Sequence, residues 1–295
     1  MSLQSYKINI ILMNIRGKIF FGAVVAVLCG GVPTQQAKAQ VDVTTDTLEC
    51  HIIGFNAGPV FPSTAFSAVT LPDGSVSRDA TMASLYRGPW LGFGIDALYK
   101  YKSGWMVTLE GDIWLGGNNL QHRMERLGSV YTRDSIVVGG KGTDANVSCF
   151  NRGLSFQGGV GKLFPFNAAK NPNSGILARL SAGYMRQQTI FMANDERAPQ
   201  VTDDYALLYD HQRHGLVLTE GVGVWLMSRR ADYANVYITF EVSQMWSRST
   251  REYMIDYYLG LQGKDNNRYF DLLYSIKLCW MFPLKGKSTH DYYFY

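Results

Sequence analysis

The residues with the clearest capacity for chemistry are three histidines and the acids and hydroxyl group near them. The set comprises His122, Asp210, His211, His214, Glu220 and Ser228. A serine that gives its proton to a histidine, which an acid orients, would catalyse nucleophilic hydrolysis. The spacing shows no pairing of a nucleophile with a base, and long polar segments contain such trios by chance. The sequence therefore predicts no catalytic residues.

Metal binding is the second chemistry to consider. Asp203, Asp204 and Asp210 lie in one polar segment, but their spacing lacks the regular ligand pattern and glycine turn of a calcium loop. Cysteines are few, and none forms a CxxC or His-x-Cys cluster of the kind that binds zinc. The sequence predicts no metal site and no cofactor. The net charge of +4 comes without a basic patch interleaved with aromatics, so nucleic acid is not an expected partner.

The first 39 residues have the pattern of a secretory signal peptide. Arg16 and Lys18 precede a short apolar run, and Ala37-Lys38-Ala39 forms an A-x-A cleavage site. The apolar run is shorter than the ~20 residues that a membrane-spanning helix needs. We expect four segments: a cleaved signal peptide, a periplasmic N-terminal segment, a β-barrel and a periplasmic aromatic tail. They cover residues 1–39, 40–51, 52–283 and 284–295.

Alternation of apolar and polar residues predicts eight strands in the mature chain. In residues 267–282, for example, Phe270, Ile276 and Trp280 fall on one face, and Asp271 and Lys277 fall on the other. In residues 215–227, Glu220 shares the apolar parity, which predicts a β-bulge at that point. The eight strands cover about residues 52–61, 90–101, 104–115, 152–164, 175–186, 215–227, 233–246 and 267–282.

The connections between these strands alternate in length. Short connections follow the second, fourth and sixth strands, the one after the fourth spanning about ten residues, 165–174. The other connections are long. Outer-membrane β-barrels have this arrangement, with short periplasmic turns, long extracellular loops and an even number of strands. The predicted fold is all-β: an eight-stranded antiparallel transmembrane β-barrel in the outer membrane of a Gram-negative bacterium, with outer-membrane lipid as its surroundings.

A soluble barrel of the lipocalin kind is the alternative, because it shows the same alternation with the apolar face inward. Three features favour the membrane: the loop lengths, strands of ~10 to 13 residues, and aromatic residues near strand ends, as in interfacial girdles. The aromatic residues are Trp90, Tyr99, Tyr101, Trp105, Tyr184, Trp246, Phe270, Trp280 and Phe282.

If the apolar parity faces lipid, the polar parity faces a narrow lumen that side chains fill. Charges buried there must pair with one another, because an unpaired buried charge is costly. We therefore expect a structural network of ion pairs in the lumen. Its members are Asp96, Glu110, Asp112, Arg179, Glu241, Asp271 and Lys277.

Two segments are candidate partner-binding surfaces because they combine tyrosines with acids or lie at the end of the chain. One is the long loop before residue 215, and the other is the C-terminal tail. Exposed tyrosines are common in protein interfaces. The candidate residues are Tyr205, Tyr209, Asp210, Tyr292, Tyr293 and Tyr295.

The chain resembles small outer-membrane β-barrels of Bacteroidota. The resemblance rests on the A-x-A signal, on GILARLSAGYMRQQ, LLYDHQRHGLVLTEGVGVWLMS and NRYFDLLYSIKLCWMFPL, and on the tail DYYFY. Barrels of this size in that phylum include PorT-like and PorG-like accessory proteins of the type IX secretion system. The resemblance implies a non-enzymatic accessory component of a cell-envelope machine. A lipid A-modifying enzyme and a small pore stay open as alternatives.

Overall fold

The computed structural model describes residues 47–63, 65–77, 89–116, 138–143, 145, 147–193, 198, 203–227, 235–256 and 261–284. Almost all of these residues lie in antiparallel strands, as the alternating sequence predicts. The eight long strands are β1 Cys50–Pro62, β4 Trp90–Lys100, β5 Trp105–Gly116, β6 Val147–Asn167, β7 Asn171–Ala193, β8 Gln212–Leu226, β9 Val236–Ser249 and β12 Arg268–Leu284.

These eight strands form a closed ring. Each pairs with its neighbours in chain order, and β12 returns to pair with β1 along most of its length. Closure leaves no strand of the ring with an unpaired edge. The predicted eight-stranded barrel, with connections that alternate between short and long, is therefore confirmed.

The turn between β6 and β7 is shorter than the sequence predicted. The strands end and begin at Asn167 and Asn171, so three residues connect them instead of about ten. The ladder continues past Pro165 through a register shift between Pro165 and Asn167. Proline lacks the N–H group for a regular ladder, and the shift lets the pairing continue beyond it.

Four short strands and one helix add to the extracellular ends of the barrel. Strands β2 (Ala68–Thr70) and β3 (Val76–Ser77) form a hairpin that extends the sheet beside the start of β12. Strands β10 (Met254–Asp256) and β11 (Leu261–Gly263) form a second hairpin. Helix α1 (Asp203–Tyr209) precedes β8. The described parts of the long connections thus carry ordered structure of their own.

Strand β8 does not contain the predicted bulge. Its ladders with β7 and β9 run without a register shift, and Glu220 is opposite Leu180 and Val242. Glu220 is exposed on the outer wall, on the same face as Leu218 and Val222. The expectation of a bulge at Glu220 was wrong, because two unbroken ladders hold this strand in a single parity.

Replacing Glu220 with leucine should stabilise the barrel by about 1 kcal/mol, because a carboxyl group on a lipid-facing wall destabilises a barrel, though by less than a lysine or arginine does. The measurement is the free energy of unfolding by urea in phospholipid vesicles. Glu252→Leu, at an exposed loop position, is the matched control and should leave this free energy unchanged. A less stable E220L variant would instead support an inward carboxylate, as the bulge requires.

Candidate functional site

The lumen contains a layer of charged side chains at mid-height, and Arg179 on β7 lies at its centre. Its guanidinium group donates a short hydrogen bond to Glu110 and lies 3.1 Å from Oε1 of Glu241. These three side chains are at most 3 % exposed. Buried charges of opposite sign at such distances compensate each other for the loss of water.

Lys277 on β12 is the second base of this layer. Its Nζ atom lies 3.1 Å from Oδ2 of Asp112, 3.4 Å from Oε2 of Glu241 and 3.5 Å from Oε2 of Glu110. The lysine therefore contacts acids from two other strands and ties β12 to β5 and β9. The ring is closed by the pairing of β12 with β1, so these contacts of Lys277 lie next to that pairing.

Neutral side chains complete the hydrogen bonding of the layer. Asn56 donates from Nδ2 to Asp96 at 3.0 Å and to Asp112 at 3.1 Å. Tyr237 accepts a hydrogen bond from Arg179 at 3.1 Å and donates a short one to Asp96. Tyr237 thus links the arginine to a carboxylate that the arginine does not contact directly.

The structure brings together six of the seven lumen charges named from the sequence. Asp271 lies apart from them, towards the extracellular end, where its Oδ2 atom is 3.6 Å from Nη1 of Arg213. The guanidinium group of Arg213 also lies 3.9 Å from the ring centroid of Tyr269, in a cation–π contact.

Sequence reasoning did not identify Tyr237 and Arg213 as members of the polar interior. Alternation placed Tyr237 on the inward parity, which was the available signal. Arg213 lies in β8 just before the predicted start of that strand at residue 215. If the predicted strand is extended by two residues at its start, the same alternation places Arg213 inside the barrel.

Apolar layers lie on both sides of the charged layer. Towards the periplasm the lumen contains a buried cluster that includes Trp225, stacked on Tyr237 at 5.6 Å between ring centroids. Towards the extracellular end a second cluster is centred on tryptophan and methionine side chains. Members of the first are Met106, Leu163, Leu177 and Met281, and members of the second are Trp90, Trp114, Met185 and Met245.

The lumen is therefore filled. A cavity of about 50 Å³ remains beside Asp112, Ser155 and Lys277, which is room for a few water molecules. Trp90, which the sequence assigned to the interfacial aromatics, belongs to the extracellular cluster and is 2 % exposed. Its parity is that of Asp96, so its side chain points inward.

The extracellular rim carries helix α1. Tyr205 is 62 % exposed, whereas Tyr209 packs into the extracellular apolar cluster. Asp210 is buried and accepts hydrogen bonds from Gln188 at 2.6 Å and from Arg251 at 2.5 Å. Of the three loop candidates for partner binding, Tyr205 is thus the one with an accessible ring. Tyr292, Tyr293 and Tyr295 lie outside the described residues.

The histidines considered for catalysis occupy different environments. His211 is buried beneath the rim, and its carbonyl oxygen accepts a hydrogen bond from the N–H group of Thr189. His214 lies on the outer wall, 5.8 Å from the ring of Tyr184. The two side chains therefore do not share a site. His122 and Ser228 lie outside the described residues.

The outer wall is largely apolar over the middle of the strands, although it includes Glu220. Its aromatic side chains include Trp105 and Trp280 towards the periplasm, and Tyr184 and Trp246 towards the extracellular end, each about half exposed. Apolar walls with aromatic girdles around a polar or filled interior are the pattern of barrels that span bacterial outer membranes, and a soluble barrel has the opposite polarity. The protein is a Gram-negative outer-membrane β-barrel.

No protein-family model matches the chain, and no curated protein matches it. Solved structures that are similar include Ail, the attachment invasion locus protein of Yersinia pestis, in complex with the heparin analogue sucrose octasulfate. Its TM-score is 0.36 at 11 % identity, covering 79 % of this chain and 99 % of Ail.

Two further similar structures are Neisserial surface protein A and the outer membrane protein OprG from Pseudomonas aeruginosa. The first has a TM-score of 0.29 at 10 % identity, covering 78 % of this chain and 96 % of the other. The second has a TM-score of 0.28 at 14 % identity, covering 82 % and 99 %. Because these values are low, the membrane assignment depends on the barrel's own outer wall.

Among the described residues, helices have neither the length nor the apolar composition to span a bilayer. No group of three histidine, cysteine, aspartate or glutamate side chains is arranged in that part of the chain to hold a metal ion.

Proposed function

We propose that this barrel is a non-enzymatic accessory or structural component of a cell-envelope machine that carries out secretion or assembly. The observation that supports the proposal is the filled lumen beneath an ordered extracellular rim. Paired charges and two apolar clusters occupy the interior, so binding has to take place on the rim, on the outer wall or at the periplasmic side. The resemblance to type IX secretion accessory barrels points to the same role.

The alternatives receive less support from the geometry. A pore needs a continuous wet path, and the two apolar clusters interrupt such a path. A lipid-modifying enzyme needs a serine, a histidine and an acid within hydrogen-bond reach at the rim. His211 and His214 lie on different sides of the barrel wall, which separates the two described bases of such a site.

We propose that the partner protein binds at the extracellular rim. Helix α1 is held by Tyr209 in the apolar cluster and by the neighbouring contacts of Asp210 with Gln188 and Arg251. Tyr205 lies one helical turn before Tyr209 and is exposed. A tyrosine on a fixed helix binds with little loss of conformational entropy, which suits a protein interface. The C-terminal tail, with Tyr292, Tyr293 and Tyr295, is the second proposed contact, on the periplasmic side.

Photo-crosslinking in native membranes tests the rim contact. With benzoylphenylalanine at position 205, we expect one adduct of discrete mass that contains another envelope protein. The same residue at position 101, a half-exposed tyrosine at the periplasmic end of the barrel, is the matched control and should not give that adduct. If position 205 gives no adduct in a correctly folded barrel, the rim contact is wrong.

A further inference from the structure

Basic side chains form a continuous line on the outer wall of five neighbouring strands. Arg186 on β7 is opposite His214 on β8, His214 is opposite Arg248 on β9, and Arg248 is opposite Arg268 on β12. Arg152 on β6 is opposite Gln188, two residues beyond Arg186, and so is a diagonal neighbour of Arg186. We call these five residues the basic belt.

The belt belongs to the outer wall. All its members have the parity of the apolar lipid-facing residues, the four arginines are exposed, and His214 is partly exposed. Each lies in the extracellular part of its strand, on the side of the long connections. The belt therefore lies at the level where the apolar wall gives way to the head groups of the outer leaflet.

An apolar row runs below the belt, two residues nearer the periplasm on β7, β8, β9 and β12 and four residues nearer on β6. Each member is directly opposite the next, so the row is parallel to the belt from β7 to β12. A shallow hollow between them is lined by His214, Leu216, Trp246, Arg248 and Arg268. The apolar row consists of Phe156, Tyr184, Leu216, Trp246 and Phe270.

The charges of the belt are largely uncompensated. Among the described residues, Arg186, Arg248 and Arg268 form no ion pair, and Arg152 donates to the neutral Gln188 at 2.9 Å. The nearest acid on the same wall of β8 is Glu220, six positions along the strand from His214. Asp210, at the rim, is engaged by Arg251. Within the described ranges, the belt thus carries the charge of four arginines without a bonded carboxylate.

The belt covers one side of the barrel. At the extracellular ends of β1, β4 and β5, the outer-wall residues are Phe61, Leu91 and Leu115, which are apolar and exposed. Like charges on adjacent strands repel one another and are destabilising when directly opposite. Their concentration on five neighbouring strands therefore indicates an anionic ligand that offsets the repulsion.

We propose that the basic belt and the apolar row together bind a phosphorylated glycolipid of the outer leaflet. Guanidinium groups bind phosphate through paired, charge-assisted hydrogen bonds. The acyl chains of the same molecule would lie on Leu216 and Trp246, directly below the phosphates. This two-part chemistry favours a glycolipid over a soluble polyanion, which would contact the belt but not the apolar row. The site does not depend on the proposed accessory role.

The test is lipid binding by the full-length protein in detergent micelles, measured by native mass spectrometry and by titration. The probes are bisphosphorylated lipid A and the same lipid after removal of its phosphates. We expect the double variant R248Q/R268Q to bind bisphosphorylated lipid A roughly tenfold or more weakly than the wild type, because two charge-assisted contacts are lost. Wild-type protein should lose a similar factor when the phosphates are removed.

Lys162→Gln is the matched control, since Lys162 is a base on the outer wall at the opposite, periplasmic end, over the ring of Trp105. It should leave lipid A binding within about twofold of wild type, because it lies in the other leaflet. A heat-dependent shift on a denaturing gel verifies that each variant is folded.

Two results would overturn the proposal. One is lipid A binding that is unchanged in folded R248Q/R268Q or insensitive to loss of the phosphates. The other is tighter binding of soluble dextran sulfate than of lipid A, with Trp246→Ala having no effect on either ligand. The second result would assign the belt to soluble polyanions. Weaker lipid A binding by Trp246→Ala, with dextran sulfate binding unchanged, supports the two-part site.

Discussion

Replacing Arg179 with methionine is expected to lower the free energy of unfolding by about 3–5 kcal/mol, the cost typical of removing one partner from a buried ion pair. Methionine fills a similar volume, so the loss reflects charge more than packing. Glu110 and Glu241 would lose their shared guanidinium partner, and Tyr237 would lose a donor. Lys277 would then be the one base left among four carboxylates of the central layer. Urea unfolding in phospholipid vesicles, followed by tryptophan fluorescence, measures the change.

Two further variants separate this explanation from a general effect of losing a charge. Lys102→Met removes a base from an exposed turn and should change the free energy of unfolding by less than about 0.5 kcal/mol. Adding Glu110→Gln to Arg179→Met should recover part of the lost stability, because one unpaired carboxylate is removed. An Arg179→Met variant as stable as wild type would mean that the layer is open to water and not a buried network.

Replacing Gly58 with valine is expected to prevent closure of the barrel. A Cβ atom at Gly58 would lie 1.8 Å from the carbonyl oxygen of Ile276, on the facing strand β12. The contact is with backbone, so no side-chain rotation relieves it. Pro59, which follows Gly58, has no N–H group to donate to this ladder. We expect no heat-modifiable band on a denaturing gel after refolding.

Gly111→Val is the matched control for Gly58→Val, at a position outside the pairing of β1 with β12. Gly111 lies within β5, and a Cβ atom there would meet nothing within 4 Å. Valine favours strands, so this variant should fold with a stability near that of the wild type. A Gly58→Val variant that folds and shifts on heating like the wild type would show that β1 and β12 are further apart at the seam than the structure has them.

The alternation of side chains predicted most of the architecture. In β12 every inward and outward assignment, including Asp271 and Lys277 inside and Ile276 and Trp280 outside, agrees with the structure. This success has a local cause: successive side chains of a strand point to opposite faces, so parity can be read from one segment alone. The lengths of the connections then predicted the strand order and the closed ring. The boundaries of the signal peptide and the tail stay predictions.

The environments expected for Glu220 and Trp90 were wrong. A bulge was expected at Glu220, yet the two neighbouring ladders are unbroken and hold this residue on the outer wall. Trp90 was placed in an interfacial girdle, although its side chain fills the lumen. Both errors arose because an acid was expected to avoid lipid and an aromatic to face it. The pairing with neighbouring strands outweighed those preferences.

Which residues meet across the barrel depends on register, and register is not a property of one segment. Arg179 contacts Glu110 and Glu241 because β5, β7 and β9 point these side chains to the same height of a closed ring. The line from Arg186 to Arg268 exists because three successive ladders place those residues opposite one another. A shift of one residue in any ladder would move half of each set to the other face of the wall. Composition and alternation therefore predicted a membrane barrel with a charged interior, whereas the register of the ladders in the closed ring determined the ion pairs and the basic belt.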